Sequence, residues 1–380
     1  MSQDARAEGF VAPAYHDRSL CDVVPAIARA LGTPLAEDNV GSVWQLPPAP
    51  AYVLLLVDGL GETLLRRYRH AAPFLSSLLT GHSSATAGVP STTATSLTSL
   101  GTGLPPGGHG LVGFTSRVPG TDRLLNALFW DKSVDPRAWQ PHPTAFDRLQ
   151  ELGIHVANVN KREFADSGLT LAAHRGADFV GADRVGERIA AVLESTARRP
   201  SLTYVYDGDL DWTGHRHGVA SEAWLQQLAM VDAEAEQLRD ALPAAVRLVV
   251  VADHGMVDCS AEDRIDIDEH PQLRDGLYLF AGEARFRHLY CAARARPDLE
   301  ATWRETLGER AEVLTREEAI ERGWFGAVDD AVLSRLGDLV VAARGSFGVF
   351  SSVDFGYETR LIGLHGSLTP DEMLVPLLVC

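Results

Sequence analysis

Residues 52–57 read YVLLLV and run straight into Asp58-Gly59. A strand with one solvated face alternates polar and apolar residues. A run with no polar residue is buried on both faces, as inside a parallel sheet covered by helices. Residues 154–159, 202–206 and 246–252 have a broadly similar character, the last interrupted by Arg247. Helical patterns lie between them. Residues 221–242 carry Leu225, Leu228, Val231, Ala235, Leu238 and Leu242 at three- and four-residue spacing, after a Ser221 suited to cap a helix. Residues 183–199 show a similar stripe through Val185, Ile189, Val192 and Leu193. Strands alternating with helices predict an α/β fold: a mostly parallel central sheet with helices on both faces.

From 264 to 355 the pattern is less regular. Short apolar runs at 277–280, 288–292 and 339–343 alternate with charged helical stretches near 297–309 and 316–322. The expectation is a catalytic α/β core over 1–263 and 356–380, interrupted by a smaller inserted α+β segment over 264–355. The chain would rejoin the main sheet at 373–379.

Composition narrows the function. Lys plus Arg is 34 and Asp plus Glu is 51, a formal net charge of −17. Such a surface repels polyphosphate backbones and argues against nucleic-acid binding as the main role. Cys21, Cys259, Cys291 and Cys380 are scattered with no CxxC pair, which argues against a cysteine metal site or a disulfide framework. The opening MSQDARAEGF has no basic stretch followed by an apolar run, and no apolar run approaches the ~18–20 residues that span a bilayer. The expectation is a cytoplasmic enzyme with no membrane partner.

Five places carry chemistry. Asp58 stands at the carboxyl end of a buried strand, where open parallel sheets bind ligands. An Asp there also caps helices, so it is ambiguous alone. Asp253-His254 follows residues 246–252 in the same way, with Gly255 after it. In DWTGH, Asp211 and His215 are four residues apart and can face one cation from a turn or one helical turn. Asp207, Asp209 and His217 lie close by and read as solvated or supporting groups. His365 sits between Gly363 and Gly366, where backbone can crowd a site. The stretch 90–99, PSTTATSLTS, is rich in hydroxyls at an expected helix start. One of them caps the helix or serves as a nucleophile activated by a metal. Carboxylate and imidazole together suit Zn²⁺ or Mn²⁺ better than Ca²⁺. Three Asp and three His are enough for two metals, which clamp the attacking and leaving oxygens of an in-line displacement at phosphorus.

The blocks YVLLLVDGLG, the hydroxyl stretch through TGLPPGGHG, DWTGHRHG, VVVADHGM and LHGS resemble the alkaline phosphatase superfamily, and within it the nucleotide pyrophosphatase/phosphodiesterase branch. They span about residues 50–370. The resemblance implies that Asp58, Asp253 and His254 hold one zinc, with the nucleophile as a further ligand, and that Asp211, His215 and His365 hold the other. Counting back from His109-Gly110 puts the family's nucleophilic threonine on Thr93. The family's Asn that donates to a phosphoryl oxygen has no clear counterpart, and Ser96 is the nearest donor. The implied activity is a two-zinc hydrolase cleaving phosphodiester or pyrophosphate bonds of nucleotides through a phospho-threonine. Mn²⁺ is the alternative metal. A phosphomonoesterase or phosphonate hydrolase is the rival within the superfamily, and a catalytically dead metal-binding protein the rival of another class. The partner is a small-molecule phosphate ester, and the sequence sets no oligomeric state.

Overall fold

The computed structural model describes residues 9–35, 44–80 and 84–380. Residues 1–8, on which the absence of a leader was partly read, lie outside them. A six-stranded sheet runs in the order Leu377–Val379, Val246–Val251, Ala51–Val57, Ser201–Asp207, His155–Asn160, Asp178–Gly181. All its pairings are parallel except that of Leu377–Val379 with Val246–Val251. Every residue of Ala51–Val57 is buried, as its uniform apolarity requires. Helix Val185–Ala197 packs on three of these strands, and helix Ala145–Glu151 on His155–Asn160. Ser221 caps helix Glu222–Ala241 by accepting from the Trp224 amide. The fold is a mixed α/β one with a mostly parallel central sheet and helices around it.

A second sheet, antiparallel, has the order Leu277–Glu283, Phe286–Cys291, Leu339–Ala343, Ala311–Thr315. Side chains alternate between the two faces of a strand, and here both faces are used. Leu339, Val341 and Ala343 join a local core with Trp303, Leu307 and Phe347. Val340 and Ala342 join the core of the main sheet.

Two features differ from the sequence reading. The edge strand Asp178–Gly181 was not expected; it is only partly buried, so it carries no apolar run. Residues 373–379 form two short strands instead of one. Leu374–Val375 pairs with Ala85–Thr86, and after Pro376 the chain joins the main sheet as Leu377–Val379. Proline has no N–H to give a continuous ladder. None of the four cysteines is in a disulfide. Among the described residues no helix is long and apolar enough to cross a membrane.

Candidate active site

The carboxyl ends of three adjacent strands converge. Leu56 pairs with Tyr206 on one side and Val251 on the other, so Asp58, Asp207 and the Asp253-His254 pair leave the sheet side by side. Gly59 then takes a φ of +76°. A Cβ on it would stand 3.0 Å from the Asp211 Cβ, so only glycine lets the Asp58 turn and the Asp211 helix approach this closely. Helix Asp209–His217 puts Asp211 and His215 on one face, with Oδ2 and Nε2 3.2 Å apart. Gly363 supports that helix: a Cβ there would lie 2.6 Å from the Gly214 carbonyl oxygen.

Each candidate histidine is oriented by a backbone carbonyl. Nδ1 of His215 faces the Gly363 oxygen at 2.7 Å, Nδ1 of His254 the Gly255 oxygen at 3.0 Å, and Nδ1 of His365 the Ser91 oxygen at 3.0 Å. A nitrogen that faces a carbonyl carries the proton, so in the neutral ring Nε2 keeps its lone pair. All three Nε2 atoms meet the carboxylates. His254 Nε2 lies 3.4 Å from Asp58 Oδ1 and 3.3 Å from Asp253 Oδ2, and His365 Nε2 lies 3.7 Å from Asp211 Oδ1. The rings of His254 and His365 stack with centroids 3.6 Å apart.

Two sets of potential ligand atoms lie within 4.8 Å: Asp58, Asp211 and His254, and Asp211, His215 and His365. Asp211 belongs to both, so the sets adjoin. Asp253 reaches the first set through His254. Its Oδ1 accepts from the amides of Gly59 and His254, both at 3.0 Å, which leaves Oδ2 spare. Asp58 Oδ1, Asp211 Oδ1 and Asp253 Oδ2 are buried and have no hydrogen-bond partner among the described residues.

Burial raises the Asp58 carboxyl well above the usual range, and the charges of Asp253 and Asp211 push the same way. Asp253 is also raised, by burial and by Asp211 against the pull of His254. Burial acts to raise Asp211 too, but His215, His365 and His254 outweigh it and hold its carboxyl low. His365 is pushed well down by burial and by its histidine neighbours. Burial acts to lower His215, yet Asp211 beside it raises it overall. No Lys or Arg among the described residues forms an ion pair with Asp58, Asp211 or Asp253. Oxygen and nitrogen donors of this kind, with spare buried lone pairs and no protein cation, fit divalent metal ions of the zinc type.

The hydroxyl stretch sorts itself by contact. Helix Thr93–Thr102 begins at Thr93 with Thr92 in the cap position. Thr93 Oγ1 lies 3.2 Å from His254 Nε2 and 3.4 Å from Asp58 Oδ2. The neighbours are engaged elsewhere. Thr92 makes no capping bond and instead bonds Glu283. Ser91 donates to the Ser367 carbonyl at 2.6 Å and Thr95 to the Leu111 carbonyl at 2.9 Å. Ser96 lies one turn beyond Thr93, fully buried, and its hydroxyl has no partner among the described residues.

Some residues of this site escaped the sequence reading. Tyr206 donates to Asp58 Oδ2 at 2.6 Å and fixes that carboxylate; the only signal was a tyrosine near the end of the neighbouring strand. Glu283 lies beside Thr92, accepts from the Phe114 amide at 2.9 Å, and is pushed by burial up to about 8. Asp207 is not solvated: it is buried in an ion pair with Arg188 at 2.9 Å. Asp209 pairs with Lys161 at 2.6 Å, and His217 is exposed.

Solved structures share this fold. Murine ectonucleotide pyrophosphatase/phosphodiesterase 5 is 18% identical, with a TM-score of 0.67 over 86% of this chain and 87% of that one. An inactive threonine-to-alanine form of the murine protein, in complex with AMP, is 17% identical at TM-score 0.68, covering 86% of this chain and 87% of that one. The human counterpart is 17% identical at TM-score 0.67 with the same coverage of 86% and 87%. These likenesses establish the fold. The family model for type I phosphodiesterase/nucleotide pyrophosphatase matches residues 52–368, most of the chain and every strand end described above, and the protein belongs to that family.

Proposed function

We propose that this protein hydrolyses phosphodiester or pyrophosphate bonds of nucleotides, with Thr93 as nucleophile and a phospho-threonine intermediate. Asp58, Asp253 and His254 would hold one zinc, with Thr93 as its further ligand, and Asp211, His215 and His365 the other. When bound, the two cations acidify the Thr93 hydroxyl and neutralise charge on the phosphoryl and leaving oxygens. The rest falls to the chain. Tyr206 and the Gly59 and His254 amides hold Asp58 and Asp253 with their spare oxygens turned to the site. The first amides of helix Thr93–Thr102 have no partner inside the helix and offer donors to the phosphoryl oxygens. Ser96 adds a candidate hydroxyl. Thr93 Oγ1 bonds to phosphorus as the leaving oxygen departs. Water then attacks the phospho-threonine, and the Thr93 oxygen leaves.

The observation that carries this reading is the meeting of three spare, buried carboxylate oxygens and three Nε2 lone pairs beside one hydroxyl, Thr93. The inactive threonine-to-alanine neighbour with AMP supports both the nucleophile class and nucleotides as substrates. The absence of a Lys or Arg ion pair at the described site favours the diester, which carries one negative charge where a monoester carries nearly two. The solved neighbours are named ectonucleotide pyrophosphatase/phosphodiesterases, which lends the cytoplasmic expectation no support.

The test is kcat/KM for bis-p-nitrophenyl phosphate against p-nitrophenyl phosphate, with zinc supplied. The diester should be preferred. A monoester preference of tenfold or more, about 1.4 kcal/mol, would replace the reading with a phosphomonoesterase. Metal analysis should give about two zinc per chain at the catalytic ligands. Ser96→Asn should shift the diester-to-monoester ratio, and no shift would remove Ser96 from the phosphoryl site.

A further inference from the structure

A third set of potential ligand atoms, remote from the catalytic one, is formed by His16, Cys21 and Asp22, again within 4.8 Å of one another. It packs at the far end of the nucleophile helix. Gly103 caps that helix, and a Cβ on it would stand 3.6 Å from the Cys21 carbonyl oxygen. The helix has 10 residues, so this end is about 15 Å from Thr93.

The set is built, not scattered. Cys21 and Asp22 are fully buried at 0% exposure, while His16 faces solvent. Asp22 divides its two oxygens. Oδ2 accepts from the Ser19 amide at 2.9 Å and the Ser19 hydroxyl at 3.0 Å, which closes the short turn Leu20–Asp22. Oδ1 is buried without a hydrogen-bond partner among the described residues. The Cys21 sulfur lies 2.8 Å from the Ser19 hydroxyl and accepts the His16 backbone amide. Burial, then the Asp22 charge, push the thiol up to about 12. A cation beside both groups would offset the Asp22 charge on the thiolate.

We propose that His16, Cys21 and Asp22 form a binding site for a borderline divalent ion of the zinc class, with solvent completing the coordination on the His16 side. Sulfur, imidazole and carboxylate together select zinc-like ions over magnesium or calcium. Binding exchanges the thiol proton for the metal–sulfur bond and releases that proton to solvent. The ion would tie the N-terminal segment to the helix that carries the nucleophile. The sequence hid this site because its cysteine has no second cysteine nearby and takes its partners from an adjacent Asp and a His five residues back.

Cobalt separates this site from the catalytic one, whose ligands include no sulfur. Metal-free protein titrated with Co²⁺ should develop a thiolate-to-cobalt charge-transfer band in the near ultraviolet. Cys21→Ser should lose that band, keep its kcat on bis-p-nitrophenyl phosphate with zinc supplied, and contain one zinc fewer per chain than wild type. His16→Asn is a second variant that spares the fold. His16 has φ of +63°, which Asn tolerates, and its loss should diminish the band. No band in wild-type protein overturns the proposal. So does a band that survives in Cys21→Ser, which would assign the thiolate to another cysteine. Neither outcome touches the catalytic reading.

Discussion

Two parts of this molecule bury several carboxylates, and they treat them differently. Beside the second sheet, two buried acids each have a guanidinium of their own. Arg285 and Glu372 pair at 2.7 Å with both side chains at 0% exposure, and Arg287 pairs with Glu358. Arg188 likewise joins Glu234 and Asp207. At the strand ends, Asp58, Asp211 and Asp253 lie together beside histidines, with no Arg or Lys ion pair among the described residues. Burying charge without compensation costs several kcal/mol. The chain supplies cations to the first group and leaves three spare oxygens in the second. The difference fits the proposed reading, in which bound metal ions supply the second group's compensating charge.

The sharpest test of that contrast is Thr93→Ala. Thr93 touches His254 and Asp58 but is not one of the six Asp and His donors. The variant should keep nearly all its metal and lose several orders of magnitude in kcat, because the covalent step is gone. His254→Ala should instead lower metal content and rate together. A Thr93→Ala variant that loses metal in proportion to activity would show Thr93 to be a structural ligand only.

Breaking the other group should show the opposite pattern. Arg285→Met leaves Glu372 buried without its cation, and should cost about 3–5 kcal/mol of stability in denaturant unfolding with no change in metal content. The double variant Arg285→Met, Glu372→Gln should recover part of that loss. A single variant within 1 kcal/mol of wild type would show that Glu372 does not need the guanidinium. Its bonds from the Ser367 amide and the Thr369 hydroxyl are then sufficient to hold it.

How much of this contrast could be read from the residues alone depends on what each feature writes into the sequence. Ala51–Val57 and Val246–Val251 were legible because burial on both faces leaves an almost unbroken apolar run. Asp58 and Asp253-His254 were legible because they interrupt such runs at the ends where ligands bind. The carbonyls of Ser91, Gly255 and Gly363 that set the three imidazoles were not, because every residue has a carbonyl. Tyr206 was hidden inside a strand, where a tyrosine is ordinary. The guanidinium–carboxylate pairs join residues 71 and 87 positions apart, and nothing local marks them.

A third device keeps a buried group neutral. His174 is held down to about 3 by burial, packs 4.6 Å from the Tyr204 ring, and neither nitrogen has a partner among the described residues. Its folded value lies below the unfolded one of about 6.5. Its neutral form therefore costs no stability above pH ~6.5, and stability falls as the pH drops from there toward the folded value, since the unfolded chain binds the proton first. At pH 5 the loss from this one group is about 2 kcal/mol. His174→Phe should flatten the acid limb of unfolding stability by that amount. An unchanged limb would assign it to other groups, such as His109, also held near 3 by burial and then Arg335.

The smallest expected effect separates two tyrosines of one strand. Tyr204 and Tyr206 are two residues apart in Ser201–Asp207, so their side chains leave the same face. The Tyr206 hydroxyl donates to Asp58 at 2.6 Å, whereas the Tyr204 hydroxyl is buried with no partner among the described residues. Tyr206→Phe removes a donor that fixes one carboxylate of the site. The loss should be about 0.5–1.5 kcal/mol in transition-state binding, a few-fold to roughly tenfold in kcat/KM, with metal content kept because Asp253 and His254 remain. Tyr204→Phe removes only an unsatisfied hydroxyl and should leave the rate unchanged and the stability equal or higher. Equal rates for the two variants would mean that the Asp58 carboxylate is held by the other ligands without Tyr206. The donor would then matter to the empty-handed fold and not to the reaction.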